Sequence, residues 1–208
     1  MGQLQWLQIQ TRPELSFDVN KCAQRSSAPT LADAKQISAV ARRARDNSKA
    51  HLRYPRGVVD LSSCQLLAYG DAAFANMEGE KSQYGSIIFT THRPQEFWRG
   101  SFQYGALLYW TSATIKRVVR STLAAEAYAI SETVETAEWL RHVLTELWPG
   151  SSLKLPRSLS LVEAQSLQRP TMVLTDSLNL AENVKSDKSG TQDKRLRIVV
   201  SMLRQAFD

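Results

Sequence analysis

Three acids in this chain stand where an acid needs a reason. Asp71 follows the run Leu66-Leu67-Ala68-Tyr69-Gly70, Glu126 opens a long helical pattern in Ser121-Thr122-Leu123-Ala124-Ala125-Glu126, and Asp176 closes the apolar run Met172-Val173-Leu174-Thr175. Acids at strand ends and at a helix start, far apart in sequence, meet only through the fold. Carboxylates that converge repel one another unless a cation neutralises them, so a divalent-metal site is the leading expectation. Each acid also has an ordinary explanation. Asp71 suits the start of a turn, Glu126 suits the positive end of a helix dipole, and Asp176 suits a cap on the helix that follows. Glu132, Glu135 and Glu138 lie along one helical pattern and read as a solvated face.

The elements that must position these acids are legible as changes of period. Three strand-like runs come first: Cys64 to Gly70, Tyr84 to Thr90, and Ala106 to Trp110. Turn-rich segments separate them, as in an antiparallel meander, and the segment from His92 to Gly105 reads as a long hairpin loop. Leu123, Ala127, Ile130, Val134, Ala137, Leu140 and Leu144 then form one helical stripe, ending near Trp148-Pro149-Gly150. Ser151 to Pro170 reads as an irregular connection. A strand over Met172–Asp176, a short helix from Ser177 to about Val184, a polar loop from Lys185 to Gly190 and a last helix from about Gln192 complete the order. Three antiparallel strands, a helix and a strand able to pair in parallel describe a mixed α/β sheet. If the first and fourth strands are neighbours, Asp71 and Asp176 sit side by side and Glu126 completes the cluster.

Ahead of these elements the chain to about Arg56 reads as helical and basic. Thr30 and Asp33 fit a capping box, and Ile37, Val40, Ala41 and Ala44 follow at helical spacing. Lys35, Arg42, Arg43, Arg45, Lys49, Arg53 and Arg56 occupy the other faces. They form either a solvated surface or a contact to a phosphate backbone. Pro55-Arg56-Gly57 breaks the pattern and marks a boundary.

Composition narrows the class. The chain has 208 residues, 43% of them hydrophobic and 22% charged, with a formal net charge of +6. This supports a folded core of one domain or a domain with an attached subdomain, and it weakly favours an anionic partner. Cys22 and Cys64, like His51, His92 and His142, are scattered, so no zinc motif is present. A reduced intracellular protein, cytoplasmic or nuclear, is the simplest reading. No apolar stretch is long enough to span a membrane, and the start lacks the pattern of a signal peptide. Trp98, Trp110 and Trp139 read as packing residues.

The order and spacing of short motifs resemble the ribonuclease H region of Ty1/copia-type retrotransposon Pol polyproteins, with the end of the reverse transcriptase before it. Gly2-Gln3-Leu4-Gln5-Trp6 with Thr11-Arg12-Pro13-Glu14-Leu15 is similar to G-x-L-x-W…T-R-P-D, and Leu52-Arg53-Tyr54 to the end of an L-R-Y-L helix. Tyr69-Gly70-Asp71-Ala72-Ala73-Phe74-Ala75 resembles Y-S-D-A-D-F-A. Ser82-Gln83-Tyr84-Gly85 resembles S-x-S-G-Y, and Trp110-Thr111-Ser112 resembles W-x-S-K. Ser121 to Ala129 resembles S-T-x-E-A-E-Y-x-A, although Ala124 replaces its first glutamate. Glu138-Trp139-Leu140 and Thr175-Asp176-Ser177 match further elements.

The resemblance implies a ribonuclease H-like mixed sheet over residues 58–208, preceded over 1–57 by a helical segment from the end of the reverse transcriptase. It implies cleavage of the RNA strand of RNA–DNA hybrids by two Mg²⁺ or Mn²⁺ ions. Asp71, Glu126 and Asp176 match three of the four acids that hold them. Lys35, Arg42, Arg43, Arg45 and Arg53 are the candidate nucleic-acid contacts. The implied partners are a hybrid or other nucleic acid and the rest of the polyprotein, its reverse transcriptase and integrase, with no membrane. The fourth acid normally follows a further strand. The sequence ends at Asp208 before such a strand, so the resemblance implies a domain without its last strand and helix; Asp193 begins the preceding helix and is not that acid. Two functions stay open: an active hybrid nuclease within a longer polyprotein, or an impaired or domesticated remnant that binds nucleic acid or is only a folded relic.

Overall fold

The computed structural model describes residues 1–54, 56, 64–77, 79–92, 105–147, 171–186 and 192–207. The expected boundary at Pro55–Gly57, the loop after His92, Trp98, the end of the long helix at Trp148–Gly150, the connection over 151–170 and most of the Lys185–Gly190 loop fall wholly or largely outside them.

Four strands form one sheet: β1 (Gln65–Ala73), β2 (Gln83–Thr91), β3 (Ala106–Thr114) and β4 (Thr171–Leu174). Their order is β3-β2-β1-β4. β1–β2 and β2–β3 pair antiparallel, and β1–β4 pairs parallel. This is the mixed sheet expected from the sequence, of the ribonuclease H-like order. The third strand runs longer than its apolar core suggested, because polar residues such as Ser112 and Thr114 continue the ladder with β2.

The long helix α4 (Thr122–Leu147) lies against one face. Leu66 and Ala68 of β1 and Ile88 of β2 pack on its Ala137, Leu140 and Leu144. Ala124, Ala127, Ile130 and Val134 turn instead toward α5 (Leu178–Lys185) and α6 (Lys194–Phe207), burying Leu180, Leu196, Val199, Val200 and Leu203. Each fully buried Leu or Val contributes roughly 1.5–3 kcal/mol. α4 is thus gripped on two sides, which fixes the height of its N-terminal half over β1.

The first 46 residues form α1 (Gly2–Gln10), a single 3₁₀ turn, α2 (Ser16–Ala23) and α3 (Leu31–Asp46), around their own small core of Leu15, Val19, Cys22, Val40 and Ala44. The capping box at Thr30 and Asp33 forms as expected. The Thr30 hydroxyl and backbone N–H, with Arg25 beside them, hold the Asp33 carboxyl below its usual range. Ala41, by contrast, is exposed. This helical part docks on β3: Trp110 Nε1–H donates to the Gln8 carbonyl at 2.7 Å, Tyr54 Oη–H donates to the Leu107 carbonyl at 2.7 Å, and the Gln24 amide bonds the Thr114 hydroxyl. Trp110 therefore packs as expected, whereas Trp139 is 61% exposed, because the apolar faces of α4 point elsewhere. Cys22 and Cys64 are buried free thiols. No helix among the described residues is long and apolar enough to cross a membrane.

Candidate metal centre

Asp71 sits within β1, paired opposite Gly85, and the strand runs on to Ala73. It does not begin a turn. β4 runs beside β1 with Leu174 level with Tyr69. Asp71 and Asp176 each come two residues further on, so the parallel register alone brings them level at one end of the sheet.

Glu126 enters from α4. The helix is capped by Ser121, whose Oγ accepts from the Ala124 N–H at 3.1 Å. Glu126 therefore lies just past the first turn, further in than the sequence suggested, and the helix dipole falls off over that turn. Asp176 is not the cap of α5 either. Ser177 takes that role, its side chain accepting from the Leu180 N–H, while Thr175 Oγ1 accepts from the Ser177 N–H. Asp193 caps α6 through the N–H groups of Arg195 and Leu196, as its position at a helix start implied. The ordinary explanations of the three acids thus do not describe what they do in the structure.

One carboxylate oxygen from each of Asp71, Glu126 and Asp176 lies within 4.8 Å of the others. Asp71 and Asp176 are exposed and Glu126 is half-buried. Two charges at that spacing repel by roughly 3 kcal/mol at an effective dielectric constant of about 20, and by less where water screens them. Burial, then Asp71, then Asp176 push the Glu126 carboxyl up to about 7, with the Ala72 N–H pulling the other way. Glu126 Oε2 is buried without a hydrogen-bond partner among the described residues. An all-oxygen cluster with a buried acceptor lacking a donor suits a hard divalent cation, and these three residues could hold one.

A stability test follows from the sign of this shift. An acid whose folded pKa is raised costs nothing below its unfolded value, near 4.5, and its full penalty above about 7. Metal-free protein should therefore lose stability from this group as pH rises through that window. Glu126→Gln should make the metal-free chain more stable than wild type at pH 8, on the order of 1–2 kcal/mol after solvent screening, and indistinguishable at pH 4. Urea unfolding in EDTA at both values measures it. An equal gain at both pH values would mean that packing, not charge, is responsible.

The basic candidates lie elsewhere. Lys35, Arg42 and Arg45 are exposed along one face of α3. Arg43 turns toward α2, pairing with Asp18 at 2.6 Å and donating to the Glu14 carbonyl. Arg53 is exposed beside His51. None of these groups lines the cavity that Asp71 borders. A second basic set does lie at the acids' end of the sheet. Lys81, Lys116 and Arg117 line a cavity of about 720 Å³ with Phe74 and Ser82. The Arg117 guanidinium lies 5.5 Å from the Tyr128 ring centroid. The signal was present as Lys116-Arg117-Val118-Val119-Arg120, three cations just before the helix that carries Glu126.

A sheet of order β3-β2-β1-β4, with acids from β1, the segment after β4 and the crossing helix at one end, defines the ribonuclease H-like class. Comparison with known proteins gives the particular relatives. The chain is 30% identical over 155 residues to the retrovirus-related Pol polyprotein from transposon RE2 of Arabidopsis thaliana. It is 28% identical over 151 residues to that from transposon RE1 of the same plant. Each match covers 71% of this chain and 9% of the relative, so the chain spans about a tenth of the length of these polyproteins. The resemblance to retrotransposon Pol polyproteins read from the motifs therefore extends over most of the sequence. No protein-family model matches the chain, and no solved structure matches it significantly.

Proposed function

We propose that residues 58–208 form a ribonuclease H-like nuclease domain that hydrolyses the RNA strand of RNA–DNA hybrids, and that residues 1–57 are the end of a reverse transcriptase preceding it in a retrotransposon polyprotein. The observation that carries this reading is the half-buried Glu126 carboxyl, lacking a partner for one oxygen and flanked by Asp71 and Asp176. Asp71 on the strand, Glu126 on the helix and Asp176 after β4 would together hold the ions. Two Mg²⁺ or Mn²⁺ ions would supply an activated water and stabilise the leaving oxygen. The chain's own contribution is to hold three carboxylates at fixed positions on a strand, a helix and a strand-end segment, so that little reorganisation accompanies the reaction. Lys81, Lys116 and Arg117 would steer phosphates toward that end of the sheet. The reverse transcriptase and integrase of the same polyprotein would be its covalent partners.

The test is a hybrid with each strand labelled separately. Cleavage of the RNA strand in Mg²⁺, sparing the DNA strand and stopping in EDTA, supports the reading. Binding without cleavage in either Mg²⁺ or Mn²⁺ would point to a nucleic-acid-binding relic instead.

The α3 stripe is tested separately. Lys35→Glu with Arg42→Glu should flatten the salt dependence of hybrid binding by about two counterions, while leaving Arg43 in its pair with Asp18. An unchanged salt slope would make the stripe a solvated surface.

A further inference from the structure

On the face of the sheet opposite α4, a groove of about 350 Å³ runs between α2 and the strands, with Phe17, Tyr69, Asp71, Gln83, Gly85 and Ser112 among its walls. The register fixes who shares that face. Asp71 pairs with Gly85, Gly85 with Ser112, and Gln83 lies two residues before Gly85 on the same side of the pleat. Gln83 is thus a diagonal neighbour of Asp71, at roughly 7–8 Å. Gly85 leaves the floor open: a Cβ there would meet only the Thr111 carbonyl, at 3.8 Å.

Two features of this groove are unexplained by folding. Gln83 is only 3% exposed, yet its amide is half satisfied. Nε2–H donates to Ser112 Oγ at 2.6 Å, while Oε1 is buried without a partner among the described residues. Turning the amide over leaves an N–H group unsatisfied in place of the oxygen, so the deficit survives either assignment. Across the groove Phe17 is 43% exposed, with Lys21 Nζ 6.0 Å from its ring centroid. A buried half-satisfied amide costs free energy, and an exposed aromatic beside a cation is the combination that takes a nucleobase and its phosphate.

We infer that this groove holds one nucleotide of the RNA strand beside the cleavage site, with the Gln83 amide bonded to its 2′-hydroxyl and the Phe17 ring against its base. The inference rests on the hybrid being the ligand, as proposed above. A 2′-hydroxyl both donates and accepts, so it satisfies the amide whichever way the amide is turned, and it is the group that separates RNA from DNA. Gln83 is then a specificity-determining residue. The N-terminal helical part supplies one wall of the site, held there by the Trp110–Gln8 and Gln24–Thr114 bonds.

The test uses the full chain with Ca²⁺ in place of Mg²⁺, and fluorescence anisotropy on an RNA–DNA hybrid and a DNA duplex of one sequence. Wild type should prefer the hybrid. Gln83→Met, similar in size, should lose about tenfold in hybrid affinity, the scale of one hydrogen bond, with DNA-duplex affinity unchanged. Phe17→Ala, at an exposed position, should weaken both about tenfold. A structural role for Gln83 would move both duplexes together. A second measurement needs no variant: single 2′-deoxy substitutions walked along the RNA strand should reproduce the loss at one position only. An unchanged hybrid preference in Gln83→Met, or a walk with no sensitive position, overturns the inference. Hybrid preference without Mg²⁺-dependent cleavage would instead remove the nuclease reading and leave the groove standing.

Discussion

Asp71→Asn should abolish hybrid cleavage while leaving the fold intact. Asp71 is exposed, so its loss as a charge removes repulsion from Glu126 and leaves the buried side chains in place. Thermal unfolding in EDTA should be equal to or slightly better than wild type. The ligand set, however, falls from three carboxylates to two, and the one removed stands on β1, a strand paired on both sides within the sheet. Mn²⁺ affinity should drop by more than tenfold, and cleavage by a factor on the order of 10²–10³ or more, the scale set by removing a group that stabilises developing charge. Calorimetry of Mn²⁺ binding and single-turnover cleavage of a hybrid measure the two losses. Equal Mn²⁺ affinity in wild type and variant would sink the assignment of Asp71 as a ligand. A large loss of stability would show that the residue is structural.

How much of this site was legible depended on whether its signal was local. Asp71 and Asp176 stand at the ends of short apolar runs and Glu126 within a stripe of helical period, so element type and order were readable. The adjacency of β1 and β4 stood in the sequence only as a condition, which the parallel pairing of the two strands meets. The local roles of the acids were less legible. Asp176 and Ser177 are both good helix caps by type, and only the geometry shows that Ser177 does the capping and leaves Asp176 free to turn to the site. Trp139 and Trp110 look alike in sequence, yet one is exposed and the other reaches across 102 residues to the Gln8 carbonyl. A contact that distant leaves no periodic trace. The same holds for Phe17 and Gln83, which belong to different segments and meet across a groove that exists only because the helical part docks on β3.

Gly70 is the clearest case of a residue whose importance the sequence leaves unstated, and Gly70→Val carries the largest expected loss of stability. A Cβ at this position would lie 2.6 Å from Thr133 Oγ1, 3.0 Å from Ile130 Cδ1 and 3.2 Å from the Ala129 carbonyl. Thr133 is fully buried, its hydroxyl donating to that same carbonyl at 2.8 Å, so neither side chain nor backbone has room to give. β1 and α4 meet here at closer range than any side chain permits. Val should therefore lift the helix, at about 1–3 kcal/mol or more for overpacking, and lower the melting temperature by roughly 2–12 °C for a chain of this size. The displaced helix also carries Glu126, two turns before Thr133, so the variant should lose Mn²⁺ affinity even though no ligand has changed. Gly70→Ala isolates the cause, because its Cβ meets the Thr133 hydroxyl first. Combining it with Thr133→Ala should recover part of the stability and of the Mn²⁺ binding, giving a positive coupling in a double-mutant cycle. A Gly70→Val chain that melts with wild type and binds Mn²⁺ equally would show that α4 is free to shift, and that the spacing of the three acids does not depend on this contact.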